Sequence, residues 1–214
     1  MEHNVYRISE QNPSHDYLTI SRSIYSGNDT HVTHFSLGKH TDISAEYYPH
    51  PTLYFVHTGL FTFTNNSLSR KLHPDEIFLT AANDLCGISA DEEGVYTEIQ
   101  LRKDTIMNEM VKPGEIFALK DLLPYAEGSI VNADIARNEH MKFVVMAFDK
   151  GCALSEHAAP GDALIFALDG EGIIGYEGKE YPIKAGENFR FAKGGMHSVK
   201  ADSRFKMALL LLLD

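Results

Sequence analysis

The sequence predicts an all-β protein made of two similar domains, and three observations support this fold class. Short apolar segments dominate the chain, and each is closed by a turn-forming or charged residue: TLYFVHTG, FTFTNN, EIFLTAA, KFVVMAFD, ALIFALDG, NFRFAKG and KMALLLLL. Many short strands divided by turns are typical of a sandwich or barrel. The same order of strands and turns recurs at one offset of 111 residues. Helical periodicity is credible in only one segment.

The internal repeat fixes the predicted domain organisation. The offset needs no gap over more than 50 residues, and it pairs Gly59 with Gly170, Glu76 with Glu187, Phe78 with Phe189, Ala81 with Ala192, and Thr97–Leu101 with Ala208–Leu212. Duplicated units of this kind define an architecture before individual strands do. We therefore predict one β-domain over residues 1–103, a connecting segment over 104–124 and a second β-domain over 125–214.

The connecting segment is predicted to be a short helical connection. Over Asp104–Met110, the side chains of Ile106, Met107 and Met110 could form one apolar helix face. Pro113–Gly114 would then end the helix. At the far end of the chain, the apolar run from Met207 is too short to span a membrane and predicts a buried final strand.

Composition limits the functions open to the protein. There are 30 acidic against 19 basic residues, a formal charge of −11, so the chain repels phosphate backbones and anionic headgroups. We expect neither nucleic acid nor a membrane as a partner. The first 20 residues lack the pattern of an export signal, and Cys86 and Cys152 form no disulfide framework, which together predict a cytoplasmic protein.

Two segments of the second half carry motifs at fixed spacing. In GCALSEHAAPGDALIFALDG, Gly151, His157 and Gly170 match one pattern, and in AGENFRFAKGGMHSVKA, Gly186, Gly194 and His197 match another. These segments resemble the two signature motifs of the cupin superfamily. The resemblance implies a double-stranded β-helix, or jelly-roll-like, barrel in each half, hence a bicupin, and many cupins are dimers, so a homodimer is also expected. The turn at Gly194 is expected to need a positive φ.

The departures from these motifs weaken the metal site that the resemblance implies. Alanine stands at four motif positions: Ala159, Ala163, Ala192 and Ala201. The resemblance therefore transfers a metal role only to His157 and His197, which suit a divalent transition metal such as Zn, Fe, Ni, Cu or Mn. Asp162 is the one acidic substitute nearby. The alternative is that both histidines satisfy their nitrogens with backbone carbonyls or water.

The first half is predicted to have lost the site. At the offset, Glu46, Tyr48, Thr52 and Cys86 take the positions of His157, Ala159, Ala163 and His197. Glu46 is expected near the rim and Cys86 as a small core residue. The remaining histidines form no metal motif and are interpreted as mostly surface or packing residues.

Two classes of function have support in the sequence. The first is an enzyme that acts on a small organic substrate with a divalent metal or with the two histidines themselves, since cupins include dioxygenases, isomerases and decarboxylases. The second is a non-catalytic binding or sensing protein whose small-molecule ligand would contact an apolar lining, predicted as Met146, Phe148, Ile165, Phe189, Phe191 and Met196. The same residues could instead simply fill the barrel. A purely structural dimerisation module is a third, unsupported class.

Overall fold

Strands make up most of the protein, as the computed structural model shows for residues 5–66 and 68–213. In chain order they are β1 (Val5–Tyr6), β2 (Thr19–Gly27), β3 (Thr30–Leu37), β4 (Asp42–Tyr47), β5 (Thr52–Asn65), β6 (Leu68–Leu72), β7 (Glu76–Leu79), β8 (Leu85–Gln100), β9 (Ile106–Met107), β10 (Ile116–Ala118), β11 (Ile130–Arg137), β12 (Met141–Phe148), β13 (Ala153–Ala158), β14 (Asp162–Tyr176), β15 (Lys179–Lys184), β16 (Asn188–Phe191), β17 (Met196–Lys200) and β18 (Phe205–Leu212). Within those residues, the helical segments are α1 (Ile8–Gln11) and a 3-10 turn (Leu119–Asp121). The all-β class is confirmed.

The described chain divides into two compact units. The N-terminal unit comprises residues 8–105 and 111–118, and the C-terminal unit comprises residues 5–7, 106–110 and 119–213. Each unit contains its own antiparallel sheet and its own buried core.

The N-terminal unit is a β-sandwich built around two long strands. Its sheet runs β10-β7-β5-β8-β3-β2, with β4 on β8 and β6 on β5. Because β5 and β8 are long, their two ends join different neighbours and enclose a core between them. Aromatic side chains fill much of that core; they include Tyr54, Phe61, Phe63, Phe78 and Tyr96.

The C-terminal unit has the same organisation. Its larger sheet runs β1-β16-β14-β18-β12-β11-β9, and a smaller layer is formed by β13, β17 and β15 on the far end of β14. The enclosed core contains Phe148, Ile165, Phe189, Phe205 and Met207. Among the strands described above, the hydrogen-bonded order is open in both units, so neither sheet closes on itself.

Strand positions repeat between the units at the offset found in the sequence. Strand β3 begins at Thr30 and β12 at Met141, which lie 111 positions apart. The irregularity in the β4–β8 pairing falls between Ile43 and Glu46, and the one in the β13–β17 pairing falls between Leu154 and His157, again at that offset. A shared bulge at one register position indicates that the two halves have the same local backbone geometry.

The first strand of each repeat is exchanged. Strand β1 precedes the first repeat, yet Val5 pairs with Phe189 of the C-terminal unit. Strand β10 precedes the second repeat, yet Ile116 pairs with Phe78 of the N-terminal unit. Both pairs lie at equivalent positions, so each unit takes an edge strand from the sequence that leads into the other repeat.

The predicted helix over Asp104–Met110 is wrong. Ile106 and Met107 form β9 and pair with Arg137 and Ala136 at the edge of β11. Asn108 continues this attachment, since its backbone N–H donates to Ile135 O at 2.9 Å. The predicted helix would have less than two turns, and a helix that short gains little stability from its own hydrogen bonds. Pairing with a sheet edge is therefore the more stable arrangement.

No helix among residues 5–66 and 68–213 is long and apolar enough to cross a membrane.

Candidate functional site

His157 and His197 face each other on adjacent strands of the C-terminal unit. They are directly paired in the β13–β17 ladder, their ring centroids lie 4.2 Å apart, and the ring planes make an angle of 51°. Opposed residues on neighbouring antiparallel strands project from the same face of the sheet. The structure thus brings together the two histidines that the sequence motifs singled out.

The two imidazoles have different surroundings. His157 is exposed, whereas His197 is only 7% exposed and lies against Phe191, with ring centroids 4.3 Å apart. Tyr176 is the partner of His197 on the other side of β17. The pair therefore lies at the boundary between the apolar core and the solvent, with His197 on the inner side.

Backbone carbonyls fix the tautomers of both rings. His157 Nδ1 donates to Ser155 O at 2.9 Å, and His197 Nδ1 donates to Gly195 O at 3.3 Å. Since a carbonyl can only accept, each neutral ring carries its proton on Nδ1 and leaves the Nε2 lone pair available. Burial lowers the pKa of His197, the hydrogen bond to Gly195 opposes this shift, and the nearby His157 adds to it. His197 is consequently neutral at neutral pH.

Other motif positions supply no further donor. Ala159 and Ala163 are 3% and 5% exposed and belong to the core. Asp162 accepts a hydrogen bond from Lys193 N at 2.8 Å and precedes Ala163 in β14, so its side chain lies on the opposite face. Across residues 5–66 and 68–213 there is no group of three or more His, Cys, Asp or Glu side chains placed to hold a metal. The donor set falls short of the three protein ligands typical of a catalytic zinc.

The predicted apolar lining is largely core. Phe148, Ile165, Phe189 and Phe191 are at most 3% exposed and belong to one cluster, against which Met146 packs. Met196 is 39% exposed and precedes His197 in β17, so it faces away from the histidine pair. A ligand-binding role for these residues stays a prediction.

Gly194 has the expected backbone conformation. Its φ is +82°, and an added Cβ would meet no atom within 4 Å. Glycine is therefore favoured here by its backbone freedom and not by lack of space. The turn it forms leads directly into the strand that carries His197.

The equivalent pair in the N-terminal unit is Glu46 and Cys86, which are directly opposed in the β4–β8 ladder. Glu46 is exposed, whereas Cys86 is 2% exposed and burial raises the pKa of its thiol to about 11. Cys86 is therefore a protonated thiol at neutral pH.

Sequence reasoning missed a set of polar side chains inside the N-terminal unit. Tyr54, Tyr96 and Glu98 are at most 4% exposed, and Gln100 follows Glu98 on the same face of β8. Their equivalents in the second repeat are Ile165, Met207, Leu209 and Leu211. A comparison of the two repeats at the 111-residue offset, extended beyond the motif positions, would have revealed this difference.

A second missed group is a buried histidine cluster. Thr97 Oγ1 is hydrogen-bonded to His34 Nδ1 at 2.9 Å and to His57 Nε2 at 2.6 Å. His34 and Thr97 are 3% and 0% exposed. Burial, together with a smaller contribution from His34, lowers the pKa of His57 to about 3. Both histidines are packing residues, within the broad interpretation that the sequence allowed.

Comparisons with known proteins support the cupin superfamily. The family model described as "Cupin domain" matches residues 144–213. The structure is similar to the Cupin 2 conserved barrel domain protein from Leptotrichia buccalis, with a TM-score of 0.86, 26% identity, and coverage of 97% of this chain and 95% of that chain.

Two more distant structures share the fold alone. A putative glyoxylate induced protein from Pseudomonas aeruginosa has a TM-score of 0.62 and 14% identity over 94% of this chain and 83% of its own. A salicylate 1,2-dioxygenase from Pseudaminobacter salicylatoxidans has a TM-score of 0.62 and 12% identity over 89% of this chain and 75% of its own. No curated protein sequence matches the chain.

Proposed function

We propose that this protein binds a small organic molecule beside the core of its C-terminal unit, with His157 and His197 as the residues that contact it. The observation that carries the proposal is the opposed pair of imidazoles, each with Nδ1 engaged by a carbonyl and Nε2 free. In the neutral form of either ring, an Nε2 without a proton accepts a hydrogen bond and does not donate one. The pair therefore favours a ligand that presents hydrogen-bond donors and has an apolar part to lie against Phe191.

We further propose that the chain is a bicupin, with one cupin unit per repeat and a motif degenerate in both. Support comes from the strand and bulge positions that recur 111 residues apart. In this arrangement, residues 1–103 and 125–214 supply most of the two units, and 104–124 connects them.

A metal-dependent enzyme is the second candidate. The free Nε2 atoms of His157 and His197 are suitable ligands for a divalent transition metal, and a bound substrate or water would have to complete its coordination. A metal of this kind would supply Lewis acidity or redox chemistry when bound. The shortage of protein ligands at Ala159 and Ala163 is why binding without catalysis is the preferred function.

Metal analysis of untagged protein separates the two candidates. We expect substoichiometric metal after purification, and weak Zn²⁺ binding that His157→Ala and His197→Ala each reduce by at least about tenfold. His140→Ala is the matched control, because His140 lies at a turn and is paired with Glu139. Stoichiometric metal that both site variants lose would favour the enzyme instead.

Nitrogen-15 NMR of the imidazoles then tests the binding site itself. A fragment set of phenols and amides should contain members that shift the Nε2 resonances of both histidines in the wild type. Fragments that bind equally to the wild type and to both alanine variants, or that leave the two Nε2 resonances unchanged, would contradict the proposal.

A further inference from the structure

The inner face of the N-terminal unit carries a polar group that the histidine site does not involve. Tyr54 on β5 is the direct partner of Glu98 on β8, and Tyr96 lies two residues before Glu98 on the same face. The three side chains are 2%, 4% and 0% exposed, respectively for Tyr54, Glu98 and Tyr96. A carboxyl and two phenols are thus removed from water together.

One member of this group lacks a partner. The Tyr96 hydroxyl is buried and has no hydrogen-bond partner. A buried hydroxyl without a hydrogen-bond partner destabilises the folded state, and such groups are rare in folded proteins. A ligand that donated a hydrogen bond to this oxygen would supply the missing partner.

The charge of Glu98 reaches all the phenols around it. Burial raises the pKa of Tyr54 and of Tyr96, and in both cases the negative charge of Glu98 is the next largest cause. For Tyr48, which is closer to the solvent, burial and then Glu98 are again the two largest causes, and its pKa is raised to about 12. The Tyr48, Tyr54 and Tyr96 hydroxyls therefore lie around one carboxyl and remain protonated.

The surroundings of Glu98 disfavour its ionised form. Burial raises its pKa, a hydrogen bond from Gln100 Nε2 at 2.7 Å opposes the shift, and Glu46 raises it again. Besides these groups, Cys86 is the other titratable side chain that interacts with this cluster. Each of these groups is neutral or negative, so none of the side chains that shift the pKa of Glu98 or of the phenols is a cation.

Aromatic rings surround the same group. Tyr96 is stacked on Phe35 with centroids 5.1 Å apart and contacts Phe61 edge-on at 5.4 Å, and Tyr54 lies 4.7 Å from Phe63. Aromatic faces beside a carboxylate attract organic cations through the ring quadrupole. A hydrated metal ion has less to gain from such walls, because it prefers several oxygen ligands.

We propose that the N-terminal unit holds a second ligand site, formed by Glu98, Tyr54 and Tyr96, for a small organic ammonium ion. The ammonium nitrogen pairs with the Glu98 carboxylate and donates to the Tyr96 hydroxyl oxygen. Its carbon substituents lie against the aromatic rings. Tyr48 and Glu46 mark the solvent side, since Tyr48 is half-buried and Glu46 is exposed.

The C-terminal unit cannot form an equivalent site. Glu98 is replaced there by Leu209, Tyr96 by Met207 and Tyr54 by Ile165. The proposal goes beyond the function proposed for His157 and His197, and it assigns a cationic ligand to the N-terminal unit alone.

Calorimetric titration of the full chain with methylammonium and with tetramethylammonium tests this site. We expect millimolar or tighter binding of methylammonium, weakened at least about tenfold in Glu98→Gln and also weakened in Tyr96→Phe. Tetramethylammonium has no N–H to donate, so its binding should depend on Glu98 and not on the Tyr96 hydroxyl. Both variants should fold, because glutamine keeps the shape of the buried side chain and Tyr96→Phe removes a hydroxyl that has no partner. Binding should release protons below the pKa of Glu98, measured as a dependence of the heat on buffer ionisation.

Three controls test whether binding depends on the N-terminal site and on the charge of the ligand. Glu156→Gln removes an exposed carboxylate from the C-terminal unit and His157→Ala disrupts the histidine pair, so both should leave the binding of the two ammonium ions unchanged. Tert-butanol, which matches tetramethylammonium in shape without its charge, should not bind. Equal binding of the ammonium ions to the wild type and Glu98→Gln, or equal binding of tert-butanol, would overturn the proposal. So would Zn²⁺ or Mn²⁺ binding that Glu98→Gln weakens while neither ammonium ion binds, or no binding of either ammonium ion.

Discussion

Acid is expected to weaken the N-terminal unit through His57. Its Nε2 is 2.6 Å from Thr97 Oγ1, and burial together with His34 lowers its pKa from 6.5 to about 3. A histidine with a lowered pKa in the folded state binds its proton more readily when the chain unfolds. Its contribution is therefore fully retained above pH 6.5 and is lost as the pH falls toward 3.

The size of this effect follows from the two pKa values. At about pH 5, an unfolded histidine is almost fully protonated and His57 in the folded unit is almost neutral, which costs up to about 2 kcal/mol of folding free energy relative to about pH 8. That is a large part of the stability of an ordinary domain. Because the His57 side chain is partly exposed, this loss of folding free energy is an upper bound.

The assay is urea unfolding of the wild type and of His57→Gln at both pH values. Glutamine cannot titrate, so His57→Gln should lose less stability between about pH 8 and about pH 5, by up to about 2 kcal/mol. His140→Gln, in a half-buried bend of the C-terminal unit, should behave as the wild type. An identical pH dependence in the wild type and in His57→Gln would refute the assignment of a lowered pKa to His57.

Two further predictions concern a glycine turn and the exchanged strands. Gly170 and Gly178 have φ values of +68° and +73°, but an added Cβ at Gly170 would press directly on the Arg204 carbonyl oxygen whereas one at Gly178 meets nothing within 4 Å. In thermal unfolding, Gly178→Ala should cost about 1 kcal/mol and Gly170→Ala clearly more; equal losses would contradict the role given to the carbonyl contact. For the exchanged strands, Val5→Asp should lower the stability of the C-terminal unit by about 2 kcal/mol, and Ile116→Asp that of the N-terminal unit, since each side chain packs against that unit's core. Hydrogen exchange resolved by strand would measure both effects, and faster exchange in the opposite unit would refute the pairing.

The sequence predicted the fold class and the histidine pair for a shared reason. Strand and turn patterns depend on local chemistry, and the motif spacing carries His157 and His197 to opposed positions of a ladder. The open hydrogen-bonded order of the sheets was not predicted. Closure depends on distances between strands that are far apart in sequence, which periodicity does not report.

The remaining departures have a common physical origin in pairing between distant segments. The Asp104–Met110 segment was assigned by its own periodicity, but the edge of β11 determines its conformation. Glu98 was overlooked because a carboxylate in an apolar strand is usually taken as exposed. Only the partnership of Tyr54 with Glu98 across β5 and β8 shows that this carboxylate faces inward.

The exchanged strands β1 and β10 have a consequence for how the protein can be divided. Residues 106–110 belong to the C-terminal unit, residues 111–118 to the N-terminal unit, and the chain then returns to the C-terminal unit. No single cut in the polypeptide therefore releases both units with all their strands. During synthesis, strand β7 must wait for β10 to emerge, whereas the partner of β16 is already present at the start of the chain. If the gene were split between the two repeats, each product would therefore have an open sheet edge.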